Sequence, residues 1–224
     1  MQVIERVISL NLRRRTDRWE RAVRQYRQLR WSVERFEAID GQTLRTNALD
    51  PTCIRLHYDT TENARWDSHV PSGQLRRLSR GEIGCALSHV AIWRSVAESP
   101  ARLTLVLEDD VEFREDIDSA LPGYLRQLPA SWDVAFLGSH GLATQFEQVS
   151  SNWIRPRYQF GSFAYLLTPA GAARLLRTLP VRGPIDNFMA DQFSSLLALS
   201  CEPPLVRHWG AWNERSDIVH SAQG

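Results

Sequence analysis

Residues 103–113, LTLVLEDDVEF, constrain this chain more than any other stretch. From Leu103 to Leu107 they are almost wholly apolar with little alternation, which suits a strand buried on both faces. Three carboxylates, Glu108, Asp109 and Asp110, follow at once. Like charges gathered at the end of a buried strand are costly unless something positive neutralises them. A hard divalent cation with oxygen ligands is the simplest neutraliser, and open α/β sheets bind ligands beyond the carboxyl ends of their strands. The trio therefore reads either as a metal site at a cleft edge or as an acidic, solvated turn.

The surrounding pattern predicts one α/β domain over residues 1–224 with a mostly parallel central sheet. A strand is expected over 3–10, then a helix capped by Thr16 or Asp17, with Trp19, Val23, Tyr26 and Leu29 at helical spacing. A second strand over 31–38 closes at the turn Ile39-Asp40-Gly41, completing a βαβ unit. Residues 42–78, with Pro51 and Pro71, show no sustained period and read as an irregular insertion near the site. Ser79 and Glu82 form a capping box for a helix ending at 97 or 98, with Ile83, Leu87, Val90 and Ala91 as its core stripe. Further expectations are a helix over 116–128 and a strand over 132–137 that ends at Gly138-Ser139-His140-Gly141. Residues 142–159 read as a polar loop placed to act as a flap. A strand over 161–167 should lead, through the Thr168 cap and Pro169, into a helix over 170–179. A last helix is expected over 187–199 and a strand over 205–209, with a weakly held tail over 214–224.

The net charge of +1 points by itself to no class of partner. Its distribution says more. Every basic residue other than His is Arg, and nine of the 27 lie in the first 30 residues, against Glu5, Asp17 and Glu20. A local basic surface suits phosphate or peripheral contact with an anionic membrane face; no nucleic-acid partner is expected. Three widely spaced cysteines make neither a disulfide framework nor a zinc ligand set. They point to a reducing compartment and a cytoplasmic location. No apolar run approaches the length of a membrane span.

Several segments together resemble glycosyltransferase family 25. They are VISLNLRRRTDR (7–18), FEAIDG (36–41), SRGEIGCALSH (79–89) with AIW (91–93), and LVLEDDV (105–111). WDVAFLG (132–138), FAYLLTPAGA (163–172) and PIDNF (184–188) follow in family order. The block before the strand, more than the acidic triplet alone, makes the match specific. The resemblance implies a GT-A-like fold, a nucleotide-sugar donor such as UDP-galactose, a glycan or glycolipid acceptor of lipooligosaccharide type, and inversion at the anomeric carbon. It also implies a D-x-D-type motif with Mn²⁺ or Mg²⁺. Here Glu108 replaces the first Asp of that motif.

On that basis Asp110 is expected to ligate a metal bridging the diphosphate. Glu108 is expected to contact ribose or sugar, or to ligate through water, and Asp109 to order the strand end. Asn11, Arg15 and Arg18 lie just past the first strand, where a nucleotide belongs, or else form a solvated basic helix start. Asp40 is either a uracil or ribose contact or a turn former. Glu82 and His89, seven residues apart on one helix face, are placed to reach the cleft. Asp186, with Asp191 as second choice, is the candidate base on the acceptor side, with helix capping as the competing role for Asp186. His208 is a candidate late metal or phosphate contact, and Trp209 and Trp212 could stack on a sugar. Two other functions fit the same residues: a nucleotide-sugar-binding module without turnover, and a metal-dependent phosphohydrolase or nucleotidyltransferase.

Overall fold

The computed structural model describes residues 2–29, 31–61, 72–142 and 146–209. Pro71, Trp212 and the tail over 214–224 lie outside them. The opening unit forms as its periodicities demand: β1 (Arg6–Asn11), α1 (Thr16–Gln28) and β2 (Glu34–Glu37), with the strands parallel. Neither expected cap operates. Arg15 holds the N-cap position without a side-chain bond, and Asp17 instead pairs with Arg15 at 2.8 Å.

Residues 42–78 are not irregular throughout. A 3₁₀ turn (Thr46–Ala48) precedes a hairpin of β3 (His57–Asp59) and β4 (Leu75–Arg77). Cys53, Ile54, Thr60 and Leu78 are buried, and Ile54 bridges Val181 in parallel. Two- and one-residue apolar contacts of this kind carry no period for a sequence reading to detect.

The capping box at Ser79 and Glu82 starts α2 (Arg80–Ala97) as expected. Its buried side is much wider than the expected stripe. Ala86, Ile92, Trp93 and Val96 are fully buried, while Leu87 and Ala91 are only half-buried. The first turns of α2 press on the Ile39-Asp40-Gly41 turn. A Cβ at Gly84 would lie 2.5 Å from the Ile39 carbonyl oxygen, and one at Gly41 would lie 1.6 Å from that of Arg80. Ser88 Oγ adds a 2.8 Å bond from the Ile39 N–H. Gly84→Ala must therefore push two backbone segments apart. It should cost about 2–3 kcal/mol, read as a lower urea midpoint at unchanged slope.

The chain continues through β5 (Thr104–Glu108), β6 (Val111–Phe113), α3 (Ile117–Arg126) and β7 (Val134–Phe136). Next come β8 (Gly141–Leu142), β9 (Phe146–Gln148), β10 (Trp153–Pro156), β11 (Gln159–Phe160) and β12 (Ala164–Leu167). α4 (Pro169–Arg177), α5 (Ile185–Asp191), β13 (Ala198–Cys201) and β14 (Val206–His208) complete it. Two expectations are corrected here. The stretch over 142–159 is no simple polar loop: β9 and β10 extend the sheet, and Trp153 is fully buried. The helix expected over 187–199 ends at Asp191, and Ala198–Cys201 is a strand parallel to β7. A short apolar run such as Leu196-Leu197-Ala198-Leu199 suits either state, and pairing with β7 decides it.

The central sheet has the order β2-β1-β5-β12-β7-β13-β10-β9. Six strands run one way; β12 and β10 run the other. The mostly parallel sheet expected from the sequence is thus present, with two reversed strands inside it. Successive side chains of β5 enter two cores. Val106 joins the face covered by α2, α4 and α5, while Leu105 and Leu107 join the face covered by α1 and α3. All three are fully buried, which is why this strand lacks a polar face in the sequence.

Candidate active site

Strand β5 ends at Glu108, and Asp109 and Asp110 lie in the turn beyond it, so the acidic trio divides at that point. Glu108 continues the α2 side of the sheet. His89 Nε2 lies 3.3 Å from its Oε1, and Ser162 Oγ lies 3.5 Å away. Behind His89 stands Tyr165, whose hydroxyl is 2.8 Å from Nδ1 and receives the Trp93 indole N–H at 3.2 Å. Because the indole is only a donor, the Tyr165 hydroxyl proton is free to go to Nδ1. That leaves Nε2–H to face Glu108.

Asp109 and Asp110 belong to the α1 side. Asn11 Nδ2, at the end of β1, donates to Asp109 Oδ2 in a short contact. Arg18 Nη1 reaches Asp110 Oδ2 at 2.8 Å and Asp109 Oδ1 at 3.3 Å. His208 Nε2, on β14, lies 3.3 Å from the same Asp110 oxygen. β14 pairs with β6, directly after the trio, so residues nearly 100 apart in sequence meet here. Arg35 braces Asn11 from β2, its Nε 3.1 Å from Oδ1.

The charges follow from this geometry. Burial, then the neighbouring Asp110, pushes the Asp109 carboxyl up to about 6, against the pull of Asn11 and Arg18. Burial also raises Asp110, but the His208 hydrogen bond and the charges of His208 and Arg18 overcome it, and the net shift is downward. The hydrogen bond to Asp110 raises His208.

Asp186 is in the first turn of α5, and Pro184, not Asp186, holds the N-cap position. Its Oδ1 accepts the Asn187 N–H at 2.8 Å and its Oδ2 the Gly161 N–H at 3.3 Å. Burial raises its carboxyl, and the Glu108 charge adds to the rise. His140 packs beside Gly161 and meets Phe163 edge-on and His208 at a tilt, with ring centroids 5.0 and 4.8 Å away. Glu108, Asp110, His140, Asp186 and His208 thus surround one region.

The other expected site residues are placed differently. The Glu82 carboxylate accepts the Ser79 N–H in the capping box at 2.7 Å. Asp40 accepts the Gln42 N–H at 3.0 Å and pairs with Arg14 at 2.6 Å, the bonds expected of a turn former. Arg15 pairs with Asp17. Asp191 ends α5, five residues past Asp186 and so about 140° away around the helix. One face of Trp209 is covered by the Arg21 guanidinium. Arg35, His140, Ser162 and Tyr165 were not singled out from the sequence. Only His140, beside glycines after a strand end, carried a local signal.

Mn²⁺ or Mg²⁺ fits the Asp110 side. Asp110 Oδ1 is buried with no hydrogen-bond partner among the described residues, and the imidazole of His208 stands beside the other oxygen. Carboxylate oxygen is the ligand such cations prefer. A second group, Cys85, His89 and Glu108, has its ligand atoms within 4.8 Å of one another. It suits these ions poorly, because burial holds the Cys85 thiol well up, away from thiolate, and sulfur is a soft donor.

A protein-family model, glycosyltransferase family 25 (LPS biosynthesis protein), matches residues 5–189. The chain belongs to this family. Human procollagen galactosyltransferase 2 is 26% identical over 90% of this chain and 34% of its own length. The human inactive glycosyltransferase 25 family member 3 is 31% identical over 84% of this chain and 32% of its own. A family member from Drosophila melanogaster is 27% identical over 85% of this chain and 31% of its own. The chain therefore spans about a third of the length of these relatives. Since a relative named inactive is as similar as one named a galactosyltransferase, family membership alone does not establish turnover.

The raised Asp109 carboxyl has a consequence for stability. A carboxyl at about 6 in the folded chain and 3.8 unfolded adds no penalty below 3.8. Stability is then lost as pH rises through about 6, by at most on the order of 3 kcal/mol. With a chelator present, Asp109→Asn should be more stable than the parent chain at pH 8 and equal to it near pH 4. Urea titrations at the two pH values measure this.

Proposed function

We propose that this chain is a metal-dependent inverting glycosyltransferase domain. It moves galactose from UDP-galactose to a hydroxyl of a glycan acceptor of lipooligosaccharide type. The observation that carries this reading is Asp110: a buried carboxylate with one orphaned oxygen, held by Arg18 and His208 at the end of β5. Asp110 and His208 would hold Mn²⁺ or Mg²⁺, which would supply positive charge opposite the diphosphate.

The chain's own groups do the rest. Arg18 has Nε buried without a hydrogen-bond partner among the described residues, and its guanidinium offers further donors to a phosphate oxygen. Glu108, oriented by His89 and Ser162, binds a hydroxyl of the ribose or donor sugar. Asp186 takes the acceptor hydroxyl proton as the new oxygen–carbon bond forms and the bond to the diphosphate breaks. Each of its oxygens already accepts one N–H and keeps a lone pair for that proton. Its raised affinity for protons makes it a better base than an exposed carboxylate. Three free cysteines, Cys53, Cys85 and Cys201, accord with a cytoplasmic location, and no described helix is long and apolar enough to cross a membrane.

The test is product identity. With UDP-galactose, Mn²⁺ and a deacylated lipooligosaccharide, UDP and galactosylated glycan should appear, and a chelator should stop both. Release of UMP or galactose phosphate would replace this reading with a phosphohydrolase or nucleotidyltransferase. Donor-dependent thermal stabilisation without transfer, across acceptors, would favour the binding module that the inactive relative brings into view.

A further inference from the structure

The hairpin of β3 and β4 does no work in the chemistry above, yet it is tied to the segment that carries Asp186. Arg55 N donates to the Val181 carbonyl and Val181 N to that of Cys53, both at 2.9 Å. Gly183 then turns with a φ of +80°, and the Tyr58 ring lies against it, 3.4 Å from where a Cβ would be. Asp186 follows three residues later. Its charge, with those of Glu82 and Arg76, acts on Tyr58, whose hydroxyl burial holds up.

Across the hairpin Tyr58 faces Arg76. Directly opposed residues share a face, so Arg76 lies on the Tyr58 face of the hairpin. Arg76 is exposed, and its only hydrogen bond among the described residues is to Gln74, at 3.4 Å. Arg55, Arg77 and Arg182 are also exposed, with no ion pair among the described residues. Asp59 is the one described acid on the hairpin strands, and its oxygen is taken by Thr61 at 2.8 Å. Arg76 beside a half-buried tyrosine, with Arg55 and Arg182 on the two segments joined by the Val181 bonds, makes a cationic surface with an aromatic floor, while Arg77 falls on the other face of the hairpin with His57.

We propose that Tyr58 and Arg76 form an acceptor subsite for an acidic saccharide, one carrying phosphate or carboxylate a sugar or more away from the reacting hydroxyl. This rests on Asp186 being the acceptor-side base. Tyr58 supports a sugar face, Arg76 pairs with the acid group, and the exposed Arg55 and Arg182 add positive field. An anionic membrane is the competing partner for the same charges. The strand pairing favours the glycan, because it sets Arg76 on the face of Tyr58, which packs against Gly183 three residues before Asp186.

The experiment compares the parent chain with Arg76→Glu and the milder Arg76→Gln. The probe is a deacylated lipooligosaccharide, phosphorylated as isolated and after enzymatic dephosphorylation. Calorimetry without donor reads binding, and UDP release with UDP-galactose reads transfer. Arg76→Glu should weaken binding of the phosphorylated glycan about tenfold and raise its KM similarly, with kcat unchanged. Arg76→Gln should weaken it less. Neither should alter binding of the dephosphorylated glycan or donor-induced stabilisation. Equal loss on both glycans, or no loss, overturns the subsite. So does an Arg76 effect seen only on vesicles of phosphatidylcholine and phosphatidylglycerol. Arg76-dependent binding with no UDP release from the parent chain would instead sink the transferase reading and leave the subsite standing.

Discussion

Asp110→Asn is expected to lower transfer at least about 100-fold while the chain stays folded. The substitution keeps the side chain's volume and removes its charge. Arg18 and His208 both converge on Asp110 Oδ2, at 2.8 and 3.3 Å. An amide there is an uncharged and weaker ligand for a dication than a carboxylate, and where its oxygen faces the cation its two hydrogens face one of these donors. The cost to stability should be modest for a buried charge, about 1–2 kcal/mol. Arg18 still pairs with Asp109 at 3.3 Å, and Asp109 loses the like charge beside it.

The pairing with His208 has a sign that can be checked. His208 is raised by Asp110, so its contribution to stability is whole below about 6.5 and fades as pH climbs through its folded value. Asp110 is lowered, so its contribution is present above 3.8 and fades on acidification. In Asp110→Asn the His208 ring should titrate lower than in the parent chain, as followed by its NMR shift. UDP release, Mn²⁺-dependent melting and circular dichroism read the remaining outcomes. Unchanged turnover would remove Asp110 from the donor site altogether.

Asp186→Asn should cut transfer by about 100-fold or more and leave donor binding within about twofold. Asn still accepts one backbone N–H through its single carbonyl oxygen, and the uncharged group is easier to bury. What it lacks is a lone pair basic enough to take a hydroxyl proton. The expected split is therefore a large fall in kcat with little change in the donor KM or in donor-induced stabilisation. A parallel fall in donor binding and transfer, or a collapse of the melting point, would make Asp186 a structural link between α5 and Gly161 instead. In the parent chain the acid limb of the transfer profile should lie above the ordinary carboxylate range, in the direction that burial moves this group.

Both variants test residues that were legible in the sequence, yet only part of their setting was. The order of strands and helices up to Glu108 follows from local features: an unbroken apolar strand, a capping box with its own reciprocal bonds, Thr168 with Pro169 at a helix start. Such signals act within a few residues, so the linear chain suffices to specify them. Where the signal depended on a partner strand, as in β10 and β13, the reading failed. The same Leu and Ala residues satisfy a helix or a strand until something pairs with them.

The site divides along the same line. That Glu108, Asp109 and Asp110 lie at a strand end is a property of the sequence. That they separate, Glu108 to His89 and the aspartates to Asn11 and Arg18, was decided by β5 ending at Glu108 between two helix layers and by the turn that carries both aspartates toward α1. That Arg18 rather than Arg15 reaches them, and that His208 returns beside Asp110, depended on α1 packing and on the β6–β14 pairing. Charges interact across space rather than along the chain. Their identities were therefore written locally, and their partners were assigned only when the sheet closed around them.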